Sequence, residues 1–445
     1  MAKVLLIMPS LPRKTSVPYL GQQYLASSLV KDGHEVRCLD LAAARFLGTP
    51  GEDIRVVGSW RPDMIGVTLF TQNALAGYRL AERLKGTTRL LLAGGPHPTA
   101  CPGEPLRFGF DAVARGEGEQ AVVAYARKLE GRRTGTRVTD LDALPFPVES
   151  LGCYDASSYS EKGVVVPGGM ITSRGCPGRC TFCATRVAGR KHRWRSASNV
   201  VAEMALLREA HNVSHFSFWD DSFSACRSRV HELCDAIERC PALRGVTWSA
   251  ITPANTVSTE DLRRMKEAGC VAINFGIESG DETILGNIRK GLTPAQAKAA
   301  VTSAKAEGMT TIANFMFGFP GEGVGELDRT LRFMEDISDV ADMFNHGGVL
   351  VPYPGTVIYD RNHSRYGFTE WWLDPRYLPD EPDMFGMDPD RAQQYLERDG
   401  ILDLDFFRYT DEVREKIAAC VRFKARHNQR YVEKCGRAAM EGKPG

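Results

Sequence analysis

The sequence lacks an excess of either charge: over 445 residues the formal balance is +1. That argues against a nucleic-acid or anionic-membrane partner, which would leave a basic surplus. No apolar run reaches the length of a membrane span. The opening MAKVLLIMPS has one lysine and a short apolar stretch, with no small-residue cleavage site after it. It reads as a first β-strand, not a secretory leader, and the expected compartment is the cytoplasm. No repeat of solenoid period and no long low-complexity tract is present. Apolar and charged contents of 43% and 25% are those of an ordinary globular protein.

Cysteine, by contrast, is plentiful, at twelve residues. A disulfide scaffold would be far shorter, so clustered thiols point to metal or redox work. Nine of the twelve are scattered and read as small buried hydrophobes. The other three, Cys176, Cys180 and Cys183, sit in SRGCPGRCTFCATR with C-x3-C-x2-C spacing.

Up to residue 131 strands alternate with helices: apolar runs at 3–9, 36–41, 63–69 and 89–95, a fifth short one at 111–119, and helical patterns between them. This order predicts a Rossmann-like parallel sheet domain with ligands at the carboxyl ends of its strands. Residues 132–165 read as a linker. From 166 to 355 a second series predicts six strands, at 168–174, 215–221, 246–251, 270–278, 310–318 and 341–353. Six βα units make a partial (β/α)6 barrel, open on one side. Residues 356–445 form a short, mainly helical C-terminal segment. Its 360–405 stretch carries twelve acidic residues and five arginines, a net of −7.

The cysteine motif follows the first barrel strand, where active sites collect. A cubane iron–sulfur cluster normally takes four thiolates, so three leave one iron open to a substrate. Zinc is the alternative, but it wants a fourth ligand that is missing locally.

The cysteine spacing, Phe182 before the last cysteine and the six-unit barrel together resemble the radical SAM superfamily. The resemblance implies a [4Fe–4S] cluster on Cys176, Cys180 and Cys183. Its open iron chelates S-adenosylmethionine (SAM), and an external electron donor reduces it to release a 5′-deoxyadenosyl radical. It further implies SAM contacts from Asp220 and Asp221 in WDDSF, and from Glu278 and Ser279 in FGIESGDETIL. Gly318, Phe319 and Pro320 in FGFPGE are expected to pack on adenine. For Asp221 or Ser222 a helix N-cap is the competing role, and for FGFPGE a plain turn. Relatives with a GIESG segment often carry an arginine after the third strand. Here Pro253 stands there, which leaves Arg289 or Lys290 to grip the SAM carboxylate unless they are ordinary surface residues.

The first 131 residues resemble the cobalamin-binding domain of one branch of that superfamily, on GQQYLASSLVKDGHEV, PDMIGVTL, LLAGGPHPTACP and DAVARGEGE. No Asp-x-His-x-x-Gly is present, so no histidine is expected on cobalt; cobalamin is either bound without it or absent from a domain that kept the shape. The resemblance implies an enzyme acting on a small polar metabolite. The short C-terminal segment is expected to cover the barrel's open side, and its acidity, with Trp371 and Trp372 as stacking faces for a sugar ring, favours dehydration of a cationic aminosugar, as in the radical diol dehydratase of apramycin biosynthesis. Cobalamin-dependent C-methylation is the alternative, and a non-catalytic iron–sulfur sensor is a third reading.

Overall fold

The computed structural model describes residues 1–9, 17–41, 55–130, 139–155, 168–345, 348–374 and 405–440. Two wholly parallel sheets organise them. The first holds β1 (Lys3–Met8), β2 (Glu35–Asp40), β3 (Met64–Thr68), β4 (Leu90–Gly94) and β5 (Ala112–Val113), in the order 2-1-3-4-5. Its central strands are continuous apolar runs because helices cover both faces. Val4 and Leu6 pack with Ala26 and Leu29 of α1 (Leu20–Lys31) on one side, and Leu5 and Ile7 with Tyr78 and Ala81 of α2 (Ala74–Leu84) on the other. The strand order reverses between β1 and β3, and the crevice at that switch point is where such sheets hold ligands.

The second sheet begins with β6 (Gly169–Met170). An antiparallel ribbon of β7 (Ser173–Arg174) and β8 (Arg193–Trp194) follows. The sheet continues with β9 (His215–Phe218), β10 (Thr247–Pro253), β11 (Cys270–Glu278), β12 (Thr310–Phe315) and β13 (Met343–Phe344). Spatial order follows chain order, with β6 and β13 as the two edges, so this is the six-strand partial barrel the sequence predicts. Along β9 to β12 every second side chain is buried under the outer helices, including Phe216, Trp248, Phe275 and Phe315. The helices start where their sequences ask them to. Ser258 with Asp261, and Thr293 with Gln296, form reciprocal caps at α3 (Thr259–Glu267) and α4 (Pro294–Ala306).

The C-terminal helix α5 (Asp411–Met440) protects the open edge. Asn428 Oδ1 accepts from the Phe344 N–H at 2.8 Å and its Nδ2 donates to the Phe344 carbonyl at 2.7 Å. A side-chain amide thus stands in for the missing neighbour of β13. Most of the acidic segment, residues 375–404, lies outside the described residues, so its expected role as the barrel's cover stays an expectation. No helix among the described residues is long and apolar enough to cross a membrane.

Candidate active site

The ribbon strand β7 delivers the cysteine loop. Gly175 turns the chain at φ +85°, and a Cβ there would lie 2.5 Å from the Lys191 carbonyl oxygen, so only glycine fits. Asp221 fastens the same turn, with Oδ2 accepting from the Gly175 N–H at 3.0 Å. The helix after WDDSF starts only at Arg227, behind Cys226, so neither Asp221 nor Ser222 is its N-cap. Further along the loop, the Thr181 N–H donates to the Ile288 carbonyl at 2.9 Å. Cys176, Cys180 and Cys183 are half-buried free thiols. Among the described residues, the one trio of candidate ligands whose donor atoms fall within 4.8 Å of one another is a different one, in the N-terminal domain. Burial pushes the Cys180 thiol up to about 11 and raises Cys176 as well, so their thiolates call for a bound cation.

Next to them stands a buried ion pair. Lys290 Nζ lies 2.8 Å from Glu278 Oε1, with side chains only 8% and 12% exposed. Burial would lower the lysine, but Glu278 and Cys180 outweigh it and hold Lys290 above its ordinary value. Lys290 is therefore no surface residue, whereas Arg289 beside it is exposed. Glu278 sits at φ +78°, where the register with β12 shifts. A non-glycine residue there costs roughly 1–3 kcal/mol and is characteristic of functional sites. Gly276 makes room for the pair, since a Cβ would lie 3.0 Å from both Glu278 Oε1 and Lys290 Nζ.

The other motif residues divide between pocket and scaffold. Asp220 is wholly engaged. Its two oxygens accept from the Thr172 and Ser173 backbone N–H groups, from both hydroxyls, and from Arg229. Asp220 is thus a buried brace under the cysteine loop, its oxygens taken up by these donors. Ser279 is likewise turned inward, 3.0 Å from Thr330 Oγ1, and accepts from the Asp281 N–H. Glu322 shapes the FGFPGE turn by accepting from the N–H groups of Gly318 at 2.6 Å and Phe319 at 3.1 Å. The Tyr409 hydroxyl donates to the Gly318 carbonyl from the C-terminal segment. Phe319 is buried with its ring 5.8 Å from that of Phe182, while Pro320 stays partly exposed.

Lys424 reaches Asn345 at the β13 edge, and several inward side chains of the barrel strands are uncharged. They are neutral and polar, as in the Asn314 to Asn274 bond at 2.5 Å and the His215 to Thr247 contact at 2.9 Å. Burial lowers His215 below its ordinary value, keeping it neutral. Two apolar surfaces stand open among them, Trp219 at 46% and Ile251 at 40% exposure.

Between the two sheets lies a cavity of about 410 Å³. Thr71, Gly95 and Gly116 line it from the loops after β3, β4 and β5, and Thr185, Asp221 and Tyr353 line it from the barrel. Asp221 thus touches both the cavity and the cysteine loop. Ion pairs clamp the two halves beside it. Arg174, next to Gly175, reaches Glu119 at 2.7 Å and Glu117 at 3.4 Å, and Arg193 also pairs with Glu117. Gln72 bonds to the Tyr353 hydroxyl across the cavity. Sequence reasoning quoted the ARGEGE stretch without assigning these glutamates a task, because their partners lie more than fifty residues away. Trp371 and Trp372, expected to offer open faces to a sugar ring, are instead buried, at 3% and 1% exposure.

A parallel-sheet crevice thus faces a cysteine-bearing partial barrel across one cavity. Residues 170–334 match the radical SAM superfamily and residues 12–126 the B12 binding domain. An uncharacterised methyltransferase of Pyrococcus horikoshii is 30% identical over 391 residues, covering 80% of this chain and 82% of its own length. Cytidylyl-2-hydroxyethylphosphonate methyltransferase of Streptomyces wedmorensis is 28% identical, over 75% of this chain and 77% of its own. Among solved structures, the radical S-adenosylmethionine methyltransferase TsrM from Kitasatospora setae, with cobalamin and a [4Fe–4S] cluster bound, matches in fold at a TM-score of 0.65. The match covers 82% of this chain and 76% of that one, at 18% identity. The chain belongs to the radical SAM superfamily, in the branch with an N-terminal B12-binding domain. It is a radical SAM enzyme, and that membership implies a [4Fe–4S] cluster and SAM.

Proposed function

We propose that this chain is a cobalamin-dependent radical SAM C-methyltransferase acting on a small, polar, uncharged acceptor. The observation that carries the reading is the cavity between the strand ends of the first sheet and the cysteine loop of the second. It fits a corrinoid: its lining is mostly small or neutral, it abuts the loop through Asp221 and Thr185, and no histidine or cysteine among the described residues lines it. Thr71, Gln72, Gly95 and Gly116 would hold a corrinoid there from the first sheet, and Thr185 and Tyr353 from the barrel. Cobalamin, when bound, supplies a carrier for the methyl group; the cluster, fed by an external electron donor, supplies reductive cleavage of SAM.

The protein's own groups take up binding and placement. Cys176, Cys180 and Cys183 hold the cluster, and Lys290 sets a cation beside its negative charge. Lys290 and Glu278 together offer one partner each to the carboxylate and ammonium of SAM, and Asp221 is the other acceptor in reach. Phe182, Gly318, Phe319 and Pro320 form the apolar wall for adenine. The neutral side chains of His215, Thr247, Asn274 and Asn314 favour an uncharged acceptor, which needs no counter-charge beside it.

Aminosugar dehydration gives way to methylation. It leaned on tryptophans that are buried and on carboxylates outside the described residues, whereas the relatives quoted above carry methyltransferase names. Product analysis separates the two. Methyl transfer consumes a second SAM and leaves S-adenosylhomocysteine beside 5′-deoxyadenosine. Turnover giving 5′-deoxyadenosine with no S-adenosylhomocysteine would return dehydration to first place.

A further inference from the structure

A buried polar chain runs inward from the cavity wall of the N-terminal domain. It begins at Thr71 on the cavity wall, whose hydroxyl lies 3.2 Å from His97 Nδ1. On the far side of the ring, His97 Nε2 lies 3.1 Å from Glu104 Oε1. The same carboxylate oxygen accepts from the Tyr78 hydroxyl at 2.7 Å and from Trp372 Nε1 at 2.8 Å. His97 is 1% exposed and Glu104 5%. Burial alone would raise Glu104, but His97, Trp372 and Tyr78 together hold it below its ordinary value, as a carboxylate. A carboxylate taking three donors needs the proton of His97 on Nε2. In that tautomer Nδ1 is the acceptor, and the Thr71 hydroxyl donates a hydrogen bond to it. The oxygen of Thr71 is left with its lone pairs to offer.

Trp372 is the unexpected member. It lies 268 residues from Glu104, beyond the barrel, and packs with Trp371 and Phe406 in the apolar cluster of the first sheet. His97, Cys101 and Glu104 also have ligand atoms within 4.8 Å of one another. A metal there is disfavoured, because Glu104 Oε1 already has three donors and burial pushes the Cys101 thiol up to about 12.

We propose that Thr71, His97 and Glu104 are positioning residues for the corrinoid, a relay that fixes the cavity floor and is tied by Trp372 to the C-terminal segment. The relay rests on the cobalamin reading above. A corrinoid carries amide arms with N–H donors, and Thr71 presents a pre-oriented acceptor to one of them. Docking of the C-terminal segment through Trp372 then tightens corrinoid binding.

The test uses the full chain with its cluster reconstituted, titrated with hydroxocobalamin by absorption spectroscopy, with the Co(II) spectrum of the reduced complex recorded by electron paramagnetic resonance. Thr71→Val should weaken binding roughly tenfold, the scale of one hydrogen bond in a charge-assisted chain. His97→Gln keeps the contact to Glu104, loses the one to Thr71, and should match it. The double variant should be no worse than either single one, because both cut the same chain. Trp372→Phe, which keeps the ring and drops the donor, should weaken binding roughly threefold, while Glu104→Gln, which keeps the acceptor, should restore most of the affinity lost in Glu104→Ala. Iron content and melting temperature report whether each variant folds. Additive effects of Thr71→Val and His97→Gln, or wild-type affinity and spectra in both, would overturn the relay with the cobalamin reading intact. A wild-type chain that takes up no corrinoid would overturn both.

Discussion

The two ligand faces of this protein are built on opposite electrostatic plans. Around the cysteine loop, charge is buried and paired: Glu278 with Lys290, and Asp220 with Arg229. Around the cavity on the first sheet, shape and hydrogen-bonding direction dominate, with Asp221 the one charged side chain among the described lining residues. The difference follows from the ligands each face suits. A reduced cluster and a zwitterionic amino acid bring charge that must be answered in a low dielectric, while a corrin macrocycle asks mainly for a flat, neutral seat. Buried ion pairs are poor sources of stability but strong sources of placement, since removing one partner strands the other.

The comparison breaks most visibly at Lys290. Lys290→Met should lower SAM affinity at least tenfold and also lower the melting temperature, because stranding a buried carboxylate costs about 3–5 kcal/mol. Adding Glu278→Gln should recover stability but not SAM binding. Full recovery of both in the double variant would make the pair purely structural. Equilibrium dialysis with SAM and a thermal melt read the two effects.

A smaller effect is expected at Glu322. Burial pushes its carboxyl up to about 8, so folding favours the neutral acid. Its contribution to stability is whole below pH ~4.5 and is lost as pH rises through about 8. Lys424, pushed down to about 7 by burial, works in the opposite sense: its contribution is whole above pH ~10.5 and is lost as pH falls through about 7. Glu322→Gln removes the first group alone. The variant should therefore lose less melting temperature than the wild type between pH 6 and pH 9. An unchanged pH profile would mean that the carboxyl is ionised in the folded protein.

The smallest effect sharpens the contrast from the other side. If the acceptor is uncharged, neutralising Asp380, Glu381 and Asp383 to their amides should change its Michaelis constant by less than about twofold, the scale of solvated surface charges. A large rise would restore the cationic acceptor.

Much of the frame was legible because it depends on local patterns. The run Cys270–Glu278 was read residue for residue as β11, since a nine-residue alternation of β-branched and aromatic residues has few other fates. The cysteine loop announced itself by spacing. What escaped was set by long-range pairing. Asp220 and Asp221 are neighbours in one motif, yet one is a saturated brace and the other faces the cavity, and only the path of β7 beside them decides which. Lys290 looked like a surface residue until the turn at 286–290 carried it under Glu278. Trp371 and Trp372 looked like a stacking platform until the segment after the barrel folded back onto the first sheet.

The account stands on one chain holding a cluster and a corrinoid on two adjoining faces. The most direct measurement is metal content after anaerobic reconstitution with iron, sulfide and hydroxocobalamin, followed by desalting and elemental analysis. The wild type should carry about four irons and one cobalt per chain, and replacing Cys176, Cys180 and Cys183 together by alanine should remove the iron while leaving most of the cobalt. Iron at full occupancy with no cobalt above background, or iron retained in the triple variant, would contradict it.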